Sequence, residues 1–440
     1  MARVETTLDP ALRAFVEEQV GQIAECHKSA GGASRITWLI QAKERNCVLR
    51  VDSGDGPVAG TALTLGREAT VYRALAGTNV RIPELIAETQ GALLMEMARG
   101  RPELDHLDSA VRVQILDDYV DALADLHRID ASSGFAALDP PADAGSAAQQ
   151  VMQLWEGIYR SRVRRPSPLA RFASRWLKHN APTTAERLVV CHGDVGPGNF
   201  MHDGERVTAM LDWEFVHVGD PMDDLAWLAF RGHHFIGDIG DFSAQLRRWQ
   251  ARTGFEVDKR RIAYYRIVVM YVWLISCLAA LDNGAKNQDR FTYLNLISLM
   301  NVIMPRAMME YAGVSPPEVD VDVQPHDSDL SEQISALVDL ISLKWPPSDP
   351  GALYVGVMAN QTLRLSQLGV SIREQNRDAV SALTGRSLDA ADVDQVFDAW
   401  IVATPEQDDA SAAVLYANGL RRVQADLALL PIVSKPFLPL

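Results

Sequence analysis

The stretch CHGDVGPGNF, Cys191 to Phe200, limits the fold more than any other part of the sequence. It follows an apolar run ending in LVV and precedes VTAMLDWEF, and both flanking runs read as short strands. Around them, from about 105 to 310, the chain otherwise has helical spacing, as in SAVRVQILDDYVDALADLHRID. A chain written this way must set a small β element with a loose loop into a helical body. Gly196 and Gly198 let the loop turn sharply enough for Asp194 and Asn199, five residues apart, to face one point. Asp212 stands thirteen residues beyond Asn199, at the end of the second run.

By itself, D-x-x-x-x-N is no more than a turn. Between two strand-like runs, with a further aspartate after the second, the set suits phosphoryl transfer, which needs an acceptor hydroxyl held in line and phosphate charge neutralised. Asp194 then serves as base, and Asn199 and Asp212 hold Mg2+, an ion that needs few protein ligands beside water and phosphate. His192 braces the loop through hydrogen bonds to its backbone.

Upstream, residues from about 20 to 100 alternate strand-like runs with turns: RITWLIQA and NCVLRVD around the charged KERN, then GALLMEM. Between them LGREATVYRALAGTN places Val71, Tyr72 and Leu75 on one side of a helix, which predicts a small sheet with one helix. Downstream, GVSPPEVDVDVQPHDSD, residues 313–329, is proline-rich, acidic and aperiodic, the composition of a linker. Helical stretches near 330–344, 351–368, 371–384, 390–403 and 409–428 follow and predict a separate helical module.

Charge narrows the partners. Residues 1–310 hold 39 acids against 34 bases, and residues 311–440 hold 18 against 8. No basic stripe with interleaved aromatics occurs, which argues against nucleic acid. The four cysteines are scattered without a C-x-x-C pair, which predicts reduced thiols, and the acids near the N-terminus predict a cytoplasmic protein. IVVMYVWLISCLAAL, residues 267–281, is shorter than the ~20 residues a bilayer needs and is bracketed by Arg266 and Asp282, so it reads as a core helix and not as a membrane contact.

CHGDVGPGNF followed by AMLDWEFVHVGDPMDDLAWL resembles the aminoglycoside phosphotransferase and choline kinase-like family of small-molecule kinases. The resemblance implies an α+β, bilobal protein-kinase-like fold: a β-rich N-lobe over 1–97, a mostly helical C-lobe over 98–312, the linker 313–329 and an all-α module over 330–440. It implies ATP and Mg2+ as cofactors. In NCVLRVD it puts Arg50 on the nucleotide phosphates, positioned by Glu68 of GREATVYRAL, with arginine standing where protein kinases use lysine. HKSAGGASRITWLI would supply the phosphate-covering loop at Gly31, Gly32, Ala33 and Ser34, and LLMEMARG the interlobe hinge, with the backbone of Glu96 and Met97 facing adenine. Asp220 before Pro221 is a helix N-cap signal, a structural role that extends to Asp223 and Asp224. Trp213 and Glu214 read as packing and support beside Asp212, and His127 as a core histidine.

For the acceptor, VLR, REATVYRAL, DWEFVHVGDPMDDLAW and TGFEVDKRRIAYYRI resemble bacterial kinases of acyl-CoA metabolism, akin to the kinase-like domain fused to certain acyl-CoA dehydrogenases. That implies a small-molecule hydroxyl substrate of the hydroxyacyl-CoA class. ISALVDLISLKW, VMANQTLRLSQLG and LYANGLRRVQADLALL resemble a DUF6285-type helical domain, elsewhere a companion of such kinases. A polycationic antibiotic would gain from an acidic cleft, and residues 1–310 are close to charge balance. An aminoglycoside, macrolide or choline-type kinase, and an inactive kinase fold used as a scaffold, are the alternatives. A homodimer and the choice of ATP over GTP stay open at this point.

Overall fold

The computed structural model describes residues 8–29, 35–52, 54, 56–104, 107–232, 240–284, 287–319, 329–344, 350–404 and 409–425. The chain divides into two compact units, Met1–Ile158 with Ala181–Val269, and Tyr159–Asn180 with Met270–Leu440.

The first unit opens with helix α1 (Pro10–Val20), capped by Asp9, whose side chain accepts from the Ala11 and Leu12 amides. Five antiparallel strands follow, β1 (Ile23–Lys28), β2 (Arg35–Ala42), β3 (Asn46–Asp52), β4 (Leu85–Thr89) and β5 (Ala92–Glu96), in the order β1-β2-β3-β5-β4, with α2 (Leu65–Leu75) between β3 and β4. Strands β2 and β3 coincide with the quoted runs. Two further strands and α1 exceed the expected small sheet with one helix; α1 announces itself only by the Asp9–Pro10 pair, the same start signal as Asp220–Pro221. Cys47 and Leu49 of β3 join Val16 and Val20 of α1, Ile40 and Leu94 in one buried cluster. Arg50, one residue on from Leu49, lies opposite Thr37 of β2 and Leu93 of β5, and period-2 alternation turns it away from that cluster.

The helical part brings α3 (Ser109–His127), α4 (Ala147–Arg162) and α5 (Pro168–His179), then strands β6 (Val189–Cys191), β7 (Phe200–His202), β8 (Val207–Met210) and β9 (His217–Gly219). These pair as two small antiparallel sheets, β6 with β9 and β7 with β8, so the quoted loop connects β6 to β7. Helix α6 (Pro221–Arg231) starts at Asp220, which accepts from the Met222 amide as the N-cap signal predicts. Helix α7 (Phe242–Thr253) lies on α3 through two forked ion pairs, Arg248 on Asp121 and Arg252 on Asp125. Helix α8 (Lys259–Asp282) crosses the boundary between the units. It is long and apolar enough to span a membrane, but 83% of its most apolar window is buried in the protein.

In the second unit, α9 (Asn287–Ala312), α10 (Asp329–Lys344), α11 (Pro350–Thr384), α12 (Val393–Ala403) and α13 (Asp409–Ala425) follow. Helix α13 packs along α9 so closely that a Cβ on Gly419 would sit 2.1 Å from the Asn301 carbonyl oxygen. Helix α12 docks on α5, where Arg171 pairs with Asp398 and Arg175 donates to the Ile401 carbonyl. The expected break between 368 and 371 does not occur, because α11 runs unbroken through Gly369. A mid-helix glycine costs only about 1 kcal/mol against alanine, and Leu368 and Ile372 on either side are buried together. Of the expected linker, residues 320–328 lie outside the described residues.

Candidate active site

Strand β3 and helix α2 set the first part of the site. Arg50 Nη1 donates to Glu68 Oε2 at 2.8 Å, and its Nη2 donates to Asp212 Oδ1 at 2.7 Å. Arg35 on β2 stands on the other side of Glu68, Nε 3.6 Å from Oε1, while its Nη2 donates to the Leu63 carbonyl. Burial pushes the Glu68 carboxyl up against the pull of these two arginines. Burial also opposes charge on Arg50, but Glu68 and Asp212 outweigh it and raise its pKa.

The loop after β6 supplies the second part. Asn199 Nδ2 donates to the Asp194 carbonyl at 2.8 Å and to Asp194 Oδ2 at 2.6 Å. This fixes the amide orientation and leaves Asn199 Oδ1, a hard oxygen, out of both bonds. The Leu211 amide donates to the Asn199 carbonyl, and His192 Nε2 donates to the Leu211 carbonyl at 2.8 Å. His192 Nδ1 accepts from the Asp194 amide at 3.3 Å, so the ring is neutral with its proton on Nε2, and burial lowers its pKa accordingly. Histidine as brace is the geometry observed. Asp212 has φ 65, a left-handed backbone uncommon for a residue with a side chain. Its side chain is 38% exposed against 10% for Asp194. Burial works against the Asp212 charge, yet Arg50 beside it holds the carboxyl below the usual range.

Support comes from α6 and α3. Asp224 accepts from the His192 amide (2.7 Å), the Gly193 amide (2.8 Å) and His127 Nε2 (3.0 Å), and His127 Nδ1 accepts from Trp249 Nε1. Its buried carboxylate would be costly alone; His127 and the two amides bring its pKa below the ordinary value. Asp224 therefore acts as the strut of the loop, and His127 is the buried, bonded histidine of the core. The Gly196 amide donates to Tyr119 Oη at 3.2 Å. Trp213 is buried against His192, ring centroids 4.5 Å apart. Glu214 has a buried Oε2 without a partner among the described residues, and burial together with the Asp212 charge pushes its carboxyl up to about 8.

Arg231 is a residue of this network that the sequence conceals. Its Nη1 donates to Asp194 Oδ1 at 2.5 Å and its Nη2 to the Pro197 carbonyl at 2.9 Å. Burial raises the Asp194 pKa, and Arg231 works in the opposite direction. At the expected hinge, the amides of Glu96 and Met97 donate to the Glu84 and Asn46 carbonyls, at 2.9 and 3.4 Å. Gly31, Gly32, Ala33 and Ser34 lie outside the described residues. The structure thus brings Arg50, Glu68, Asp194, Asn199 and Asp212 into one network.

Among the described residues no cluster of three or more His, Cys, Asp or Glu side chains forms a metal cage. Asn199 Oδ1 with the partly exposed carboxylate of Asp212 nevertheless fits Mg2+, which completes its shell with water and phosphate oxygens.

Acyl-CoA dehydrogenase family member 11 of Rattus norvegicus is 26% identical over 239 residues, 50% of this chain and 30% of its own length. Aminoglycoside 3'-phosphotransferase of Streptomyces fradiae is 37% identical over 86 residues, 19% of this chain and 32% of its own. The chain thus spans about a third or less of these curated relatives. A crystal structure of an aminoglycoside phosphotransferase candidate from Ralstonia eutropha shares the fold, with a TM-score of 0.53 at 23% identity over 69% of this chain and 97% of that one. The profile described as "Phosphotransferase enzyme family" matches residues 25–265, more than half of the sequence, and the chain belongs to that family of phosphotransferases.

Proposed function

We propose that this phosphotransferase uses ATP with Mg2+ and phosphorylates the hydroxyl of a hydroxyacyl-CoA. The observation that carries the reading is the mesh in which Leu211 ties Asn199 to Asp212 while Asn199 holds Asp194. Asp194 takes the proton of the acceptor hydroxyl as that oxygen forms its bond to the γ-phosphorus and the bond from phosphorus to the bridging oxygen of ADP breaks. Bound Mg2+ would neutralise phosphate oxygens, and Asn199 and Asp212 would hold it. Arg50, kept in place by Glu68, faces the phosphates with a planar cation.

For the acceptor, the relative named for acyl-CoA dehydrogenation supports an acyl-CoA compound. The Streptomyces fradiae match favours an aminoglycoside instead. Charge weighs against that second reading, because Asp194 is matched by Arg231 and Asp212 by Arg50, which leaves a polycation little uncompensated negative charge near the reacting centre.

The test is ADP release by the purified chain with ATP and Mg2+, offered 3-hydroxyacyl-CoAs, kanamycin, erythromycin and choline in turn, with mass spectrometry of the acceptor. Phosphorylated hydroxyacyl-CoA is the expected product. Turnover on an antibiotic alone would overturn the acceptor and keep the phosphotransfer; no ADP release with any acceptor would favour the scaffold alternative.

A further inference from the structure

Each oxygen of the Asp194 carboxylate already accepts one hydrogen bond and keeps a lone pair for the acceptor's proton. Asn199 donates to Oδ2 and Arg231 to Oδ1. Arg231 closes helix α6, a place where arginine ordinarily reaches into solvent beside the last carbonyls. Here its side chain is only 15% exposed. The loop is shaped to admit it: a Cβ on Gly196 would lie 2.7 Å from Arg231 Cβ and 2.9 Å from Cδ, and one on Gly198 would lie 3.3 Å from Nη2. Beyond its bonds to Asp194 and Pro197, the guanidinium keeps a buried Nε without a hydrogen-bond partner among the described residues. Such a donor is costly unless a ligand oxygen meets it. A guanidinium fixed on the base, with a donor to spare, defines which acceptor can approach Asp194.

We propose that Arg231 is an acceptor-recognition residue: it donates to a carbonyl or anionic oxygen near the acceptor hydroxyl and turns away acceptors that would bring an ammonium group to Asp194. This rests on the phosphotransferase reading of the site and adds the charge class of the acceptor.

Binding decides it independently of turnover. Wild-type, Arg231→Gln and Arg231→Lys proteins are titrated calorimetrically, with and without ADP, using 3-hydroxybutyryl-CoA as the carbonyl-bearing anionic probe and kanamycin as the cationic one. Arg231→Gln is expected to weaken the acyl-CoA at least tenfold and to tighten kanamycin at least fivefold. Arg231→Lys, which keeps the charge and loses the fork, is expected to keep kanamycin weak while losing part of the acyl-CoA affinity, and it stands in should the glutamine variant not fold. Equal affinities in all three proteins, a wild type that prefers kanamycin, or a wild type that binds neither probe would each overturn the assignment. Failure of ADP to bind would instead strike the phosphotransferase reading, and the nucleotide-free titrations would still decide the role of Arg231.

Discussion

Arg50 and Asp212 stand 162 residues apart in the sequence and 2.7 Å apart in the fold. Because the other Nη of Arg50 holds Glu68, one planar fork serves two carboxylates in different directions. Lysine offers its three donors from one nitrogen and lacks the spread of the fork, so it cannot hold both carboxylates at these positions. Arg50→Lys is expected to lose a charge-assisted hydrogen bond worth about 1.5 kcal/mol or more and to raise the KM for ATP about tenfold, measured by steady-state ADP release. An unchanged KM would remove Arg50 from the phosphate site.

Removal of the proposed base should separate chemistry from binding. Asp194→Ala is expected to lower kcat by about two orders of magnitude or more, while calorimetry shows nucleotide affinity within a few-fold of wild type. Undiminished ATP turnover in that variant would be fatal to the role given to Asp194.

The strut beneath the loop should matter to folding. Asp224 is buried with three donors on its two oxygens. In Asp224→Asn one of those donors meets an amide N–H, and a broken buried network of this kind costs about 3–5 kcal/mol. Urea unfolding is expected to register the loss. A midpoint equal to that of wild type would show the loop to be held by other contacts.

Burial pushes the N-cap carboxyl of Asp220 up to about 6, against the pull of Arg261 and the Met222 amide. A carboxyl whose folded pKa lies above its unfolded value binds its proton more tightly in the native state. Its contribution is therefore present below about pH 4, declines as pH rises towards 6, and is level above that. The difference in melting temperature between wild type and Asp220→Asn is expected to fall across this window and to stay constant from pH 7 to 8. Parallel profiles would put Asp220 back in the ordinary carboxylate range.

The meeting of Asp194, Asn199 and Asp212 is legible in the sequence because the glycine-rich loop lies between two strand-like runs and the second run ends on an aspartate. Strands β2 and β3 are legible because their apolar residues alternate. Arg231 is not, since an arginine at a helix C-terminus is what solvent and the helix dipole both favour; only the empty space over Gly196 and Gly198 directs it inward. Arg35 is hidden for a similar reason, as a strand-end arginine says nothing of a glutamate on a later helix. In α11 the glycine at 369 suggests a break, and buried packing on either side overrides it. The Asp9–Pro10 start of α1 was available to the same grammar that finds α6.

The fit of Arg231 over the loop also links positions whose roles look unrelated. A methyl group at 196 would displace the arginine, one at 198 would press on its Nη2, and a short side chain at 231 would leave a hollow over both glycines. Drift at any one of the three sites is thus conditional on the others. Exchange of the arginine alone would free the space but not the backbone, since φ of 151 at Gly196 and 96 at Gly198 still favours glycine there.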